Sequence, residues 1–380
     1  MATQANLSGD QIAEPPTLDP ERQRLAKRYA AQKRALLVSE VILGVAYLSA
    51  WQIGLNLARA HLPSALAILA VFAALSVGFD VVSLPQSWLG YQLSRGYGLS
   101  TQAPRSWFAD NLKGLAVMLV LGGIVVELAY VVLRTQPAWW WLIMTGIMLL
   151  FTVLLANLAP VLIVPLFYKF TPLEDEELVQ RLLRLVERAG THVRGVFTMH
   201  LSDKTTAANA AVMGWGNTRR IVVGDTLTSE FTHDETEAVL AHELGHHVHK
   251  DIWRGIAVES AVQFVGLWLT SVCLAFAVAH GWLPGLADGA NMPALALLFG
   301  FFTASFTPLT NWRSRVAERN ADAYAIRTAA RPRAFVWSMI RLANQNLAEV
   351  DPPRWVEVLL YDHPAIQRRI ELFDAEASAG

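Results

Sequence analysis

The chain has 380 residues, 53% of them hydrophobic and only 17% charged, with a mean hydropathy of +0.33 and a net charge of -1. That is too apolar for an ordinary soluble domain. Near-neutral charge without a concentrated basic patch argues against a nucleic-acid partner. The single cysteine, Cys273, rules out an internal disulfide framework and argues against a cysteine-built metal site.

In chain order, residues 1–34 begin polar and proline-containing and turn basic from 21. They read as a disordered tail leading into a basic cytoplasmic anchor, with no cleavable signal peptide. Apolar runs follow at 35–57, 65–84, 114–133 and 140–166. Each approaches or exceeds the roughly 20 residues that cross a hydrocarbon core. Residues 35–168 are therefore expected to hold four spans. Trp139, Trp140 and Trp141 stand at one end of the fourth, where an aromatic belt is expected.

Residues 169–254 lose this character and read as a small α+β domain. Residues 174–189 have helical periodicity, with Leu178, Leu182, Leu183 and Val186 on one face. Residues 193–199 and 220–223 are rich in β-branched side chains and read as strands. Residues 208–213 lie between them. A strand beside a metal-binding helix can pair with an extended peptide by edge addition. Asn209 then reads either as a clamp on that peptide or as an ordinary turn residue.

Two more runs, 256–279 and 292–310, form a transmembrane hairpin within 255–311, and 312–380 read as helices outside the membrane. The expectation is six spans. The short connections after the first, third and fifth hold only Arg59 and Arg134 of the 31 basic residues. The positive-inside rule puts the other 29, both termini and every long connection in the cytoplasm. Within the spans, Glu40, Asp80, Glu127, Asn157, Glu259 and Gln263 read either as the lining of a polar chamber or as local packing.

The chemistry is concentrated in His242-Glu243-Leu244-Gly245-His246. Histidines at i and i+4 share one helix face and can ligate one metal ion, and the intervening glutamate can take a proton from a water at that metal. Thr232 and Glu235 have capping-box spacing, which starts the helix about three turns earlier. A third ligand is needed, usually a carboxylate. Glu318 is the candidate, with Asp322 one turn later placed to accept the outer N–H of a ligating histidine. Without the histidine pair, the same stretch reads as a charged surface helix. Spacing alone does not bring His363 or Arg369 to the site.

Several segments together carry a resemblance: 167–173, Asn209-Ala210, 220–227, His242-Glu243-x-x-His246, the Glu318…Asp322 stretch and His363-Pro364…Arg369. In this order the sequence resembles the type I CAAX prenyl proteases, integral-membrane zinc metalloproteases. The resemblance implies a mostly α, multi-span fold: a helical barrel around an aqueous chamber, with a small gluzincin-type α+β protease domain on the cytoplasmic side. It implies one Zn2+ per chain on His242, His246 and Glu318, with Glu243 as base. It further implies Asn209 and Ala210 on the substrate backbone, and His363 and Arg369 at the substrate carbonyl. The expected partners are membrane lipids and a peptide or protein substrate, including lipid-anchored ones. Ala207-Ala208 departs from the family's pattern before the Asn-Ala pair, one N-terminal span is missing, and so is a long insertion before the metal helix. These departures fit a compact bacterial member in the inner membrane. An edge strand near 208–213 with Asn209, and no concentrated charged pocket, lead to the expectation of loose side-chain preference and no requirement for prenylation. The alternatives are a heat-shock-type quality-control protease and a non-catalytic chaperone or scaffold.

Overall fold

The computed structural model describes residues 15–214, 216–329 and 331–379, with backbone alone at 217 and 374–379. The expected N-terminal tail lies, through residue 14, outside them.

Four long helices come first: α1 (Pro20–Leu57), α2 (Ala65–Gly96), α3 (Pro104–Thr135) and α4 (Trp140–Leu158). Asp19 caps α1, accepting from the backbone N–H of Glu21 and Arg22. Pro160 and Pro165 lie where α4 gives way to a π turn and a 3-10 turn, because neither supplies the N–H an α-helix needs. Large apolar side chains such as Val41, Ile42, Leu57 and Leu66 are exposed, as lipid-facing residues should be. On the inner side, Ile68, Leu75, Tyr130, Leu133 and Trp140 pack into one buried cluster with Leu267 and Met292 from later helices.

The sheet follows: β1 (Phe170–Pro172), helix α5 (Glu176–Arg188), β2 (Val196–Met199), β3 (Ala210–Met213) and β4 (Arg220–Gly224). The order is β1-β2-β4-β3. β2 runs parallel to β4, with Val196 opposite Ile221, and β3 runs antiparallel to β4, with Ala210 opposite Val223. β3 is therefore an edge, as edge addition requires. The inner face of α5 includes Leu185 beside Leu178, Leu182 and Val186, while Leu183 is only partly buried.

A short turn α6 (Asp225–Thr228) leads to α7 (His233–Val248) and α8 (Asp251–Ala279). Then come α9 (Met292–Ser305), α10 (Thr307–Thr328), α11 (Arg333–Gln345), α12 (Arg354–Leu360) and α13 (Ile366–Ala379). Five helices, α1–α4 and α8, are long and apolar enough to cross a membrane. The expected sixth span is a bent pair, α9 and α10 meeting at 45°. Pro308 at the start of α10 explains the break. On the far side from the sheet, Asp288 ties the α8–α9 connection to the α1–α2 connection, accepting from the N–H of Leu62 and Ala290.

The polar groups of the spans divide between the two readings. Glu40 lines a cavity of about 1170 Å3 that also reaches Lys204, His363 and Arg369. Asn157 instead donates to the carbonyl of Val153 in its own helix. Glu127 and Gln263 each bury a side-chain oxygen with no hydrogen-bond partner among the described residues.

Candidate metal centre

Helix α7 starts as its sequence dictates. The Thr232 hydroxyl accepts from the Glu235 N–H, and the Glu235 carboxylate accepts from the Thr232 N–H at 2.8 Å. The helix is buried on most sides, against Leu227, Phe231 and Phe335 among others. Its partner is α10. A Cβ at Gly245 would stand 2.9 Å from the Cα of Ala321, so glycine there lets the two backbones approach closely. That approach brings the candidate ligands His242 and His246 on α7 against Glu318 on α10.

Three side chains converge. The Nε2 atoms of His242 and His246 are 3.2 Å apart. His242 Nε2 lies 3.4 Å from Glu318 Oε2, and His246 Nε2 lies 3.2 Å from Glu318 Oε1. Among the described residues this is the only His/Cys/Asp/Glu group close enough to hold a metal ion. Among the described residues Glu318 Oε2 is buried without a hydrogen-bond partner, a costly state that a cation relieves. The donor set fits a divalent metal. Burial alone would push the Glu318 carboxyl up, but the two imidazoles outweigh it and hold it well below the usual range.

Each imidazole is held from behind. His242 Nδ1 faces Asp322 Oδ1 at 2.8 Å, and Asp322 is fully buried. Burial opposes charge on His242, yet Asp322 and Glu318 raise its pKa to about 9. His246 Nδ1 faces Asp251 Oδ2 at 3.1 Å. Sequence reading missed Asp251. Lys250 adopts a left-handed conformation (φ 57°), which turns the chain from α7 into α8 and brings the next carboxylate under the ring. No helical spacing rule reports such a turn.

Arg369 stands behind the ligands. It donates twice to Asp322, at 2.9 and 2.6 Å, and its Nη2 lies 3.8 Å from Glu318 Oε2. His363 comes from the other direction. Its Nε2 is 3.3 Å from Glu318 Oε1, and its Nδ1 is 2.8 Å from Asp362, which raises the histidine's pKa. Glu243 is partly buried, and burial raises its carboxyl above the ordinary range, with His242 and His246 opposing the rise. Asn209 is exposed just before β3, with its carbonyl accepting from Gly224 N–H at 2.8 Å. Ala210 opens the edge strand itself.

Sequence reading also missed the scaffold around these groups. Asn346 clamps Ala208 with both ends of its amide, accepting from the N–H at 2.8 Å and donating to the carbonyl at 3.1 Å. Arg315 donates to the carbonyls of Glu357 and Tyr361, fixing the approach to His363.

Comparison with known proteins identifies the family. Residues 172–377 match the model of peptidase family M48. Residues 29–169 match a model described as "CAAX prenyl protease N-terminal, five membrane helices", although the described residues form four long helices there. The chain is 33% identical over 311 residues to the uncharacterized metalloprotease YhfN of Bacillus subtilis, covering 80% of this chain and 72% of that protein. It is 28% identical over 354 residues to CAAX prenyl protease 1 of Saccharomyces cerevisiae, covering 85% and 77%. Its fold is similar to the crystal structure of S. mikatae Ste24p, with a TM-score of 0.80, 23% identity and coverage of 94% and 89%. The chain belongs to peptidase family M48 and is a membrane-embedded metalloprotease.

Proposed function

We propose that the chain holds one zinc ion on His242, His246 and Glu318 and hydrolyses extended peptide segments there. The observation that carries this is the convergence of three side chains: the two imidazole Nε2 atoms lie 3.2 Å apart, and each lies within 3.4 Å of one Glu318 carboxylate oxygen. Ligands about 2.0–2.1 Å from a tetrahedral zinc stand roughly 3.3–3.4 Å from one another. Bound there, zinc supplies Lewis-acid polarisation of the scissile carbonyl and makes a nearby water easier to deprotonate.

The remaining work falls to this chain's side chains. Glu243 takes the proton from the attacking water and passes it to the leaving amine, a task suited by its raised pKa. Asp362 favours the protonated form of His363, so Nε2 can donate to the carbonyl oxygen as negative charge develops. Asp322 and Asp251 hold the ligand rings in orientation. Arg369 holds Asp322 and adds positive charge behind the site. Substrate backbone adds to the edge of β3, with Asn209 and Ala210 at the start of the register.

The relatives' names point to prenylated C-terminal substrates. For this chain the proposed substrate is broader: extended peptide or protein segments, including lipid-anchored ones, without an absolute need for a prenyl group. The supporting features are a main-chain recognition edge and a large cavity whose wall includes His363 and Arg369. The protease domain and both termini face the cytoplasm, most basic residues lying on that side, and the membrane is the bacterial inner membrane.

The test pairs Glu243→Gln with metal analysis and peptide cleavage. The variant should keep one zinc per chain and lose roughly 10²–10⁴-fold in rate. Near-normal turnover with full zinc would refute the assignment of the base. Cleavage of one peptide with and without a prenyl group tests the substrate reading, and hydrolysis of the prenylated form alone would overturn it.

A further inference from the structure

A second cavity, of about 590 Å3, lies between α10, α12 and α13 and shares Pro364 and Arg369 with the wall of the large cavity. Its α10 wall is one stripe of that helix: Pro308, Trp312, Arg315, Arg319 and Asp322, spaced four, three, four and three residues apart. The stripe starts apolar at the end that continues from α9 and becomes cationic one turn further on. Helix α12 contributes Arg354, and α13 contributes Arg368 and Arg369.

Five arginines thus face two carboxylates. Asp322 is taken up by Arg369 and His242. Glu357 serves both Arg354, at 3.1 Å, and Arg368, at 2.6 Å. Arg315 is buried, yet its hydrogen bonds go to the carbonyls of Glu357, Val358 and Tyr361 and to no carboxylate. Arg319 is exposed and makes no hydrogen bond or ion pair among the described residues. With five guanidinium groups against two carboxylates, the cavity wall carries excess positive charge. That excess favours an anion supplied from outside the chain, and arginine forks match phosphate oxygens.

The source of the anion follows from the apolar edge. Trp312 and Leu309 on α10 and Trp355 on α12 are exposed, at 58%, 51% and 62%. Tryptophans in that setting mark a membrane–water interface. The cavity's α10 arginines begin at Arg315, about 4.5 Å along the axis from Trp312 at 1.5 Å per residue, which is headgroup depth. We propose that this cavity binds the phosphate of an anionic phospholipid, with the acyl chains running past Trp312 and Pro308 along α9.

The full-length protein in a neutral detergent is titrated with three probes: short-chain phosphatidylglycerol, the matching phosphatidylcholine, and inorganic phosphate. Binding is read by native mass spectrometry. Phosphatidylglycerol should bind at least about tenfold more tightly than either other probe. Arg319→Gln and Arg354→Gln should each weaken it about fivefold, the factor that roughly 1 kcal/mol per basic side chain gives. Both side chains are exposed and outside the metal centre, so metal content and peptide cleavage in neutral detergent should stay at the parent level. Equal binding of the two lipids, or unchanged binding by the double variant, would overturn the proposal. Inorganic phosphate binding as tightly as the lipid would also overturn it, by assigning the cavity to a free anion.

Discussion

Replacing Asp322 with asparagine separates the ligand framework from the fold. The carboxylate is fully buried and has two jobs, accepting from His242 Nδ1 at 2.8 Å and from Arg369 at 2.6 and 2.9 Å. Losing the first should weaken metal binding about 10–100-fold, or roughly 1.4–2.7 kcal/mol. Losing the second leaves Arg369 buried and unpaired, at a cost of about 3–5 kcal/mol of stability. The freed guanidinium also stands 3.8 Å from Glu318 Oε2 and competes with the metal for that oxygen. Zinc affinity is measured by competition with a chromophoric chelator, and stability by thermal melting with zinc in excess. Asp322→Asn combined with Arg369→Gln should recover part of the stability but not the affinity, because only the first job involves the imidazole. Asp251→Asn should cost less than Asp322→Asn, since His246 is more exposed than His242, at 23% against 9% of the side chain. Asp322→Asn with parental zinc affinity would refute the orientation argument. Full rescue of affinity by the double variant would show that Arg369, and not the imidazole contact, set the effect.

Three further outcomes follow from other parts of the structure. Gly245→Ala should force α7 and α10 apart, since its Cβ would meet Ala321 Cα at 2.9 Å. It should cost about 1–3 kcal/mol by overpacking and lower zinc occupancy, and an alanine variant with normal melting and metal content would show that the helices have slack. Asp225 accepts from the N–H groups of Leu201 and Ser202 and from the Ser202 hydroxyl. Burial acts to raise its carboxyl, but these donors together hold it below the ordinary range. Its contribution to stability is therefore present above the unfolded pKa, about 3.9, and is lost as pH falls through the lower folded value. The melting difference between the parent and Asp225→Asn should be full near pH 6 and shrink below about pH 4, and a difference independent of pH would contradict this. Cysteines placed at the exposed positions Arg59 and Asp351, in a background lacking Cys273, should react from opposite faces of the membrane. Labelling of both from one face would break the proposed topology.

Local signals in the sequence determined much of this protein. Twenty-residue apolar runs answer to bilayer thickness, so α1–α4 and α8 were legible without any tertiary information. The capping box at Thr232 and the i, i+4 histidines are contained within one helix, so the pair's shared face follows from helix geometry. Glu318 and Asp322 share a face for the same reason, but that this face meets α7 depends on a close contact at Gly245 and Ala321. The sixth apolar run carried no sign of its 45° bend beyond Pro308, the second of its two prolines. Asp251 comes under His246 only through the left-handed Lys250, and Arg369 reaches Asp322 across 47 residues of chain. Asn346 clamps Ala208 across 138 residues. The arginine-lined cavity joins three helices whose separate sequences each read as ordinary charged surface. Periodicity reports which residues share a face. Which faces meet is decided by packing of the whole chain, and hydrogen bonds and ion pairs at long sequence separation exist only once that packing is complete.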